Sequence, residues 1–415
     1  MNNEIDIKDQ SQAHQWRRGF WSLFVLQFQG AFSDSVFKFL IVFLITQSIT
    51  EEVLQSEFPV QTAQTIELSE SVQKKIEAKR DPLISTILII FATPMILFAM
   101  AAGFLSDKYP KSRVIFLTKV AEIFVMAAGT ICLYFQFQYG LLVVLFLMAV
   151  QSSFFSPAKS GVIPEMLPTS KLSWGNGIVG LGTFVAIITG GIAAGFISDR
   201  LGPEKAWSSG VILVVLAVLG TIASLGLPKL QQLNPEKKFR LNFLKEVWTN
   251  IRLVKKDRVL SLSIAGSVYF WFLAALFGEP TLFVYGKDLL ELNDSQISFL
   301  RGFLAIGIAI GCLLAGFLSG KRIEYGLIPI GSVGLTLTSA LMGLPNLSLE
   351  QVSILLCLLG VSGGFFIVPI NSLVQYLPAP ENRGTIIATE RWLTAAGVLL
   401  ASIVFFLLKT WMGLS

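Results

Sequence analysis

The amino-acid sequence predicts an all-α, polytopic membrane protein. Hydrophobic residues make up 53% of its 415 residues, charged residues only 14%, and the mean hydropathy is +0.68. A soluble protein of this length could not bury so much apolar surface in an ordinary core. Apolar runs of about 20 residues, long enough to cross the hydrocarbon of a bilayer, recur along the chain.

Comparing these runs with the polar segments between them gives eleven predicted spans. The first run follows a polar tail and is too long for a signal peptide, so it is interpreted as a span. The predicted spans are 20–46, 84–105, 114–136, 139–163, 174–197, 207–226, 259–285, 296–318, 326–344, 352–376 and 385–408.

The distribution of positive charge predicts a cytoplasmic N-terminus. In that orientation the cytoplasmic connections hold nineteen lysines and arginines and the outer connections hold seven, as the positive-inside rule requires. Nine of the nineteen lie in the basic segment 227–258, between the sixth and seventh spans. The net charge of +5 is therefore a topology signal and gives no reason to expect nucleic-acid binding.

Residues that carry metal and enzyme chemistry are scarce in the chain. His14 is the only histidine, and the three cysteines fall inside apolar runs without the spacing of a metal site. Neither a phosphate-binding glycine-lysine loop nor a pair of catalytic acids is present in the sequence. The sequence therefore predicts no enzyme, metal or cofactor, and membrane lipids are the expected partners.

Two polar segments interrupt the pattern of spans. Residues 47–83 form a long insert on the predicted outer face, and its second half is expected to be an amphipathic helix that stops before Pro82. This insert either guards the outer entrance or is a passive elaboration. In the basic segment, apolar residues from Phe243 to Val254 recur at helical spacing. Such a helix either lies on the inner membrane surface or simply links two bundles.

The two halves of the chain repeat each other faintly. GFLSDK at 103–108 returns as GFLSGK at 316–321, each after an even-numbered span. Gly177 and Gly190 in span five are spaced like Gly384 and Gly397 in span eleven. Parallel repeats of this kind are typical of two-bundle transporters. The predicted division is an N-terminal six-helix bundle (1–226), a cytoplasmic linker (227–258) and a C-terminal bundle (259–415).

The stretch GFLSDKYPKSR resembles the cytoplasmic loop motif of the major facilitator superfamily, although Pro110 stands where that family usually has glycine. The second copy has Gly320 in place of the acid. The resemblance implies that the acid of the first copy pairs across the bundle interface and biases the equilibrium between inward- and outward-open states. The residues that match the motif, and are therefore gating candidates, are Gly103, Asp107, Lys108, Lys111 and Arg113.

A narrower resemblance is to the bacterial lysophospholipid transporters. It is carried by FWSLFVLQFQGAFSDSVFKFLIVFL in span one, AGFLSDKYPKSR, KVAEI and QSSFFSPAKSGVIPEML, mainly in the N-terminal half. It implies alternating-access movement of lysophospholipids in the bacterial inner membrane, with an acyltransferase as partner or fusion. The alternative is a proton-coupled exporter of amphipathic small molecules, with Asp34 or Glu279 as its proton site.

Charged residues inside the spans are the candidate site. Asp34 and Lys38 are four residues apart and are predicted to pair across one helical turn, as are Lys119 and Glu122 at three apart. Intramembrane charges usually face a wet cavity. The family's arrangement of spans one, four, seven and ten around a cavity implies these substrate-binding candidates: Asp34, Lys38, Lys159, Glu279 and Asn371. The other intramembrane charges are Lys119, Glu122, Arg301 (expected to face Glu279), Glu390 and Arg391.

The resemblance also implies twelve spans, one more than the eleven that the sequence predicts. The C-terminal bundle is therefore expected to lack its last span and to leave an apolar groove unfilled.

Overall fold

The computed structural model describes residues 2–57, 70–239, 243–277 and 294–412, together with residues 282, 285, 286, 290 and 292. The described residues form thirteen α-helices and two short 3₁₀ turns. The helices are α1 Asn2–Glu57, α2 Glu70–Leu97, α3 Ala99–Lys108, α4 Lys111–Tyr134, α5 Gln138–Met166, α6 Leu172–Lys205, α7 Trp207–Ser224, α8 Phe243–Val254, α9 Arg258–Phe277, α10 Asp294–Leu318, α11 Leu327–Met342, α12 Leu349–Tyr376 and α13 Arg383–Met412.

The predicted all-α, multi-pass membrane fold is confirmed. Among the described residues, nine helices are long and apolar enough to cross a membrane, and the bent pair α2–α3 makes ten if it is one span. Helix α11 is apolar but shorter. Helices dominate because the hydrocarbon offers no hydrogen bonds to the backbone, so each spanning segment must satisfy its own N–H and C=O groups.

Helix α2 differs from the sequence prediction. The helix was expected to stop before Pro82, but α2 continues through this residue to Leu97. A proline removes one intrahelical hydrogen bond, and a long helix otherwise complete on both sides can continue across that gap. The bend of 47° instead follows at Phe98, four residues after Pro94. Prolines are the usual cause of such kinks.

The helices pack as two halves, α1–α7 and α9–α13. In the first half α1 packs against α6 and α7, and α4 against α5 and α7; in the second, α12 packs against α10 and α11, and α9 against α13. The halves contact each other where α3 meets α13 and where α6 meets α10. Residues 225–239 and 243–257 lie at the same end of the molecule as these contacts. We call this end the linker face and the other end the opposite face.

An apolar groove lies between α9 and α11 and is lined in part by Tyr269, Phe270, Leu335 and Phe366. The sequence repeat relates α9 and α11 to α1 and α4, the two helices against which α7 packs in the first half. The groove therefore lies at the position that corresponds to α7.

Candidate functional site

A buried polar network ties α1 and α4 together in the first half. Lys119 Nζ forms an ion pair with Glu122 Oε2 at 2.7 Å, and both side chains are at most 2% exposed. The same ammonium donates to Gln29 Oε1 at 2.9 Å, and Gln29 Nε2 donates to Glu122 Oε1 at 2.8 Å. The predicted pairing of Lys119 with Glu122 is therefore confirmed. Gln29 completes a closed ring of hydrogen bonds that keeps both charges satisfied without water.

Neighbouring residues extend this network across α5 towards Asp34. Gln151 Nε2 donates to Glu122 Oε2 at 3.3 Å, and Ser152 Oγ lies 3.2 Å from Gln151 Oε1. The Ser152 hydroxyl also donates to Asp34 Oδ2 at 2.9 Å. On the other side, α7 places Gly220 against Gln29, where any side chain would collide with the amide oxygen. The network thus depends on α1, α4, α5 and α7 together.

The predicted ion pair between Asp34 and Lys38 is wrong for this structure. Asp34 accepts the hydrogen bond from Ser152. The Lys38 ammonium instead lies 4.9 Å from the ring centroid of Phe39 and 5.7 Å from that of Phe91 on α2. Four-residue spacing permits a pair but does not enforce one, and a cation gains comparable stabilisation over aromatic faces. The half-buried charges of Asp34 and Lys38 therefore do not neutralise each other, and each can interact with another group.

Lys159 on α5 and Arg391 on α13 bring positive charge from both halves to the same region. The two cations repel each other, and Asp34 attracts Lys159. The Lys159 ammonium lies 5.7 Å from the ring centroid of Phe155. Arg391 forms an ion pair with the adjacent buried Glu390 at 3.3 Å. The described part of the chain places no carboxylate within ion-pair distance of Lys159.

Glu390 is itself anchored within the second half. It accepts hydrogen bonds from Ser267 on α9 at 2.5 Å and from Thr394 at 3.2 Å. These contacts fix the carboxylate and leave the Arg391 side chain, which is 34% exposed, to reach outwards. Arg391 lines an apolar groove between α2, α5 and α13, whose walls include Phe91, Met95 and Leu399. We call it the lateral groove.

At the linker face, Asp107 joins α3 to the start of α13. Its buried carboxylate accepts hydrogen bonds from the backbone N–H groups of Gly384 at 2.6 Å and Thr385 at 3.0 Å, and from the Thr385 hydroxyl. Lys237 of the linker forms an ion pair with it at 2.7 Å. An anion at a helix N-terminus satisfies otherwise unpaired N–H groups and the helix dipole. The acid therefore makes the cross-half contacts that the motif implies.

Close glycine packing accompanies these contacts. A side chain at Gly103 would meet Ala388 Cβ at 2.6 Å and Thr385 Cα at 2.9 Å. We call this contact, with Asp107 and Gly384, the α3–α13 seam. Beside it, Lys111 pairs with Glu165 on α5 at 2.5 Å, and Arg383 from the second half lies 3.7 Å from the same oxygen. One carboxylate thus holds cations from both halves.

A second contact between the halves, the α6–α10 seam, has no charged pair in the described residues. Gly177 packs against the backbone of Cys312 and Gly316, with Gly316 Cα 3.0 Å from the position of an added side chain. The residue before Gly177, Asn176, exchanges two amide hydrogen bonds of 2.9 Å with Gln375 on α12. The glycines related by the sequence repeat, Gly103 with Gly316 and Gly177 with Gly384, thus form equivalent seams.

The remaining predicted site residues are less engaged. Asn371 is half-buried on α12, and Arg301 is half-buried on α10. Glu279 lies outside the described residues, so its expected pairing with Arg301 stays a prediction. Lys108 lies over the rings of Phe104 and Tyr109, and Arg113 is exposed at the start of α4.

The uncharged and distant partners of these charges are absent from the sequence prediction. Gln29, Gln151 and Asn176 interrupt apolar runs, which was a usable signal because a buried amide must find hydrogen bonds. Glu165 and Lys237 had no such signal, since both lie outside the predicted spans, Glu165 just after span four and Lys237 in the basic segment.

Comparison with known proteins assigns the family. The model of the Major Facilitator Superfamily matches residues 23–402. The chain belongs to this superfamily. It is similar to the lysophospholipid transporter LplT of Photorhabdus laumondii, at 27% identity over 69% of this chain and 69% of that protein. LplT of Enterobacter sp. (strain 638) is 26% identical over 87% of this chain and 81% of that protein.

Solved structures support the same fold. The human organic anion transporter MFSD10 superposes with a TM-score of 0.71 at 15% identity, over 94% of each chain. The proton:xylose symporter XylE superposes with a TM-score of 0.65 at 13% identity, over 94% of this chain and 90% of that one. The family match identifies the chain as a transporter, and these structures show the same multi-pass fold.

Proposed function

We propose that this transporter moves lysophospholipids across, or between the leaflets of, the bacterial inner membrane by alternating access. The observation that carries the proposal is positive charge at an apolar groove: Arg391 lines the lateral groove, with Lys159 in electrostatic range of it. A lysophospholipid has a matching chemistry, since it combines a phosphate head group with one acyl chain. The names of the relatives point to the same substrate class.

The geometry supports separate places for the two signs of a zwitterionic head group. Lys159 and Arg391 provide cations for the phosphate. Asp34 is half-buried, and among the described residues its one hydrogen-bond donor is the neutral Ser152 hydroxyl. Lys38 lies above Phe91, a residue of the lateral groove wall. An acyl chain fits the apolar walls of this groove, whose Leu399 is 46% exposed.

The linker face is proposed to be cytoplasmic, because it carries the excess of basic residues. Both seams are closed in this structure, and with this orientation we propose that it is the state sealed towards the cytoplasm. We propose that residues 1–226 and 259–415 rock as two units and open the seams to release the substrate inwards. The bound head group would favour whichever state contacts both signs of charge.

Transport in proteoliposomes tests the proposal directly. The full chain is reconstituted with fluorescent lysophosphatidylethanolamine, and movement out of the outer leaflet is followed by albumin back-extraction. The double variant Lys159→Gln/Arg391→Gln should lower the rate at least tenfold, since a charged hydrogen bond contributes about 1.5–3 kcal/mol. Arg322→Gln, an exposed cation of the linker face (83% exposed), is the control and should leave the rate unchanged.

Two outcomes would contradict this proposal. An unchanged rate of lysolipid movement in the double variant would show that Lys159 and Arg391 are not part of the substrate site. Efflux of amphipathic drugs that requires a proton gradient, without gradient-independent lysolipid movement, would establish the exporter alternative. Melting temperature and gel-filtration profile confirm that each variant is folded.

The role of Asp34 has its own test. Asp34→Asn should slow lysophosphatidylethanolamine about tenfold and lysophosphatidylglycerol little, because only ethanolamine carries an ammonium for the carboxylate. Equal slowing of both substrates would show that the residue supports the fold and not the head group.

A further inference from the structure

A third groove lies on the outer side of the first half, between α3, α4 and α5. Its walls are mainly apolar and include Leu117, Ala121 and Val125 of α4 and Leu147 of α5. Leu117 is 54% exposed and Leu147 is 43% exposed, so these walls face the outside of the protein and not its interior. The groove is separate from the lateral groove and shares no lining residue with it.

Positive charge collects at one end of this groove. Arg113 and Tyr109 line its linker-face end. The Lys108 ammonium lies 5.9 Å from the ring centroid of Tyr109, which places a second cation beside the mouth. In the described part of the chain neither Arg113 nor Lys108 has a carboxylate within ion-pair distance. No described carboxylate therefore compensates their charges, whereas Lys111, two residues before Arg113, forms an ion pair with Glu165.

The length of the groove fits one leaflet. From Arg113 to Val125 the helix rises about 18 Å at 1.5 Å per residue. The hydrocarbon of one leaflet is about 15 Å thick, half of the bilayer core. A lipid whose phosphate contacts Arg113 at the membrane surface would therefore reach the far end of the groove with its acyl chain.

We infer that this groove binds an anionic diacyl phospholipid from the leaflet at the linker face, with its phosphate held by Arg113 and Lys108. Charge complementarity decides the occupant: two unpaired cations at the membrane surface select an anionic head group over a zwitterionic one, and the wall supplies the apolar contact. The site is a lipid-binding site outside the transport route. It does not rest on the proposed function.

Spin-labelled lipids test the inference on the full chain in phosphatidylcholine nanodiscs. The motionally restricted fraction of spin-labelled phosphatidylglycerol, relative to spin-labelled phosphatidylcholine, gives the head-group preference. Each cation near the surface is expected to contribute about fivefold. Arg113→Gln should therefore lower the preference about fivefold, and Arg113→Gln/Lys108→Gln should abolish it. Arg322→Gln should have no effect.

The groove itself is tested by filling it. Ala121→Phe places a ring between the walls and should lower the restricted fraction of both lipids, while Ala340→Phe, at an exposed alanine of α11, should not. If Ala121→Phe fails to fold, Leu117→Phe at the exposed edge of the wall replaces it. Equal losses in Arg322→Gln would indicate diffuse attraction to the basic face and overturn the site. An unchanged restricted fraction of phosphatidylglycerol in Ala121→Phe would show that the lipid does not bind in this groove.

Discussion

The two seams join the same halves at the same face, yet different interactions hold them. The α3–α13 seam combines glycine packing with Asp107, which accepts hydrogen bonds from the start of α13 and from Lys237. The α6–α10 seam has Gly320 where the repeat would place the acid, and Gly177 packs directly on backbone atoms. The α3–α13 seam is therefore stabilised by charged interactions, and removing the charge should weaken it. The α6–α10 seam is stabilised by close packing.

If the halves move as rigid units, a disturbance at one seam must open the other. Native Cys312 lies in the α6–α10 seam and is 2% exposed, so its alkylation reports opening there. A cysteine at Ala388, which is 0% exposed, reports opening of the α3–α13 seam. Each seam can thus be perturbed by a substitution while the alkylation rate of a cysteine in the other seam is measured. The remaining native cysteines are replaced by serine in these proteins.

The largest effect is expected from Gly177→Ala, read at Ala388→Cys. The added methyl would meet the carbonyl oxygen of Cys312 and lie 3.0 Å from Gly316 Cα, and backbone atoms cannot rotate away. Overpacking of this kind costs about 1–3 kcal/mol, so alkylation should accelerate up to about hundredfold. No acceleration would show that the two seams open independently. Gly302→Ala, where an added methyl meets nothing within 4 Å, is the control.

Asp107→Asn should have the next largest effect, read at native Cys312. The variant loses the ion pair with Lys237 and the charged hydrogen bonds to Gly384 and Thr385. Hydrogen bonds to a charged group contribute about 1.5–3 kcal/mol, so a loss of about 2 kcal/mol should speed alkylation about thirtyfold. Unchanged alkylation would mean that the seam is held by shape on both sides.

The contrast between the seams was only partly readable from the sequence. Apolar length predicts the helices because lipid enforces them, and the loop motif located Asp107. Its linker partner, Lys237, lies 130 residues further on, and spacing carries no information about such a contact. For the same reason the Asp34–Lys38 pair was predicted wrongly: the donor that Asp34 uses, Ser152, is 118 residues away.

A smaller effect is expected from Lys237→Gln. The Lys237 side chain is 14% exposed, so solvent weakens its ion pair with Asp107 but does not remove it. A loss of about 1 kcal/mol would raise Cys312 alkylation about fivefold. The adjacent Lys238, which is exposed, provides the matched control Lys238→Gln. Equal effects of both variants would assign the change to the general charge of the linker and not to the seam.

The smallest effect should come from the uncharged contact next to the α6–α10 seam. Asn176 and Gln375 exchange two buried amide hydrogen bonds of 2.9 Å between the halves, and Asn176 also donates to Ser372. Hydrogen bonds between membrane helices contribute about 0.6 kcal/mol on average, so a cycle of Asn176→Leu and Gln375→Leu should show about threefold coupling in the alkylation rate of Ala388→Cys at the other seam. Each single variant should raise the alkylation rate by more than its share of the double variant's effect. The reason is that a single substitution leaves one buried amide without its partner. A coupling as large as the Asp107→Asn effect would mean that the second seam also depends on polar contacts, and the distinction between a charged and a packed seam would fail.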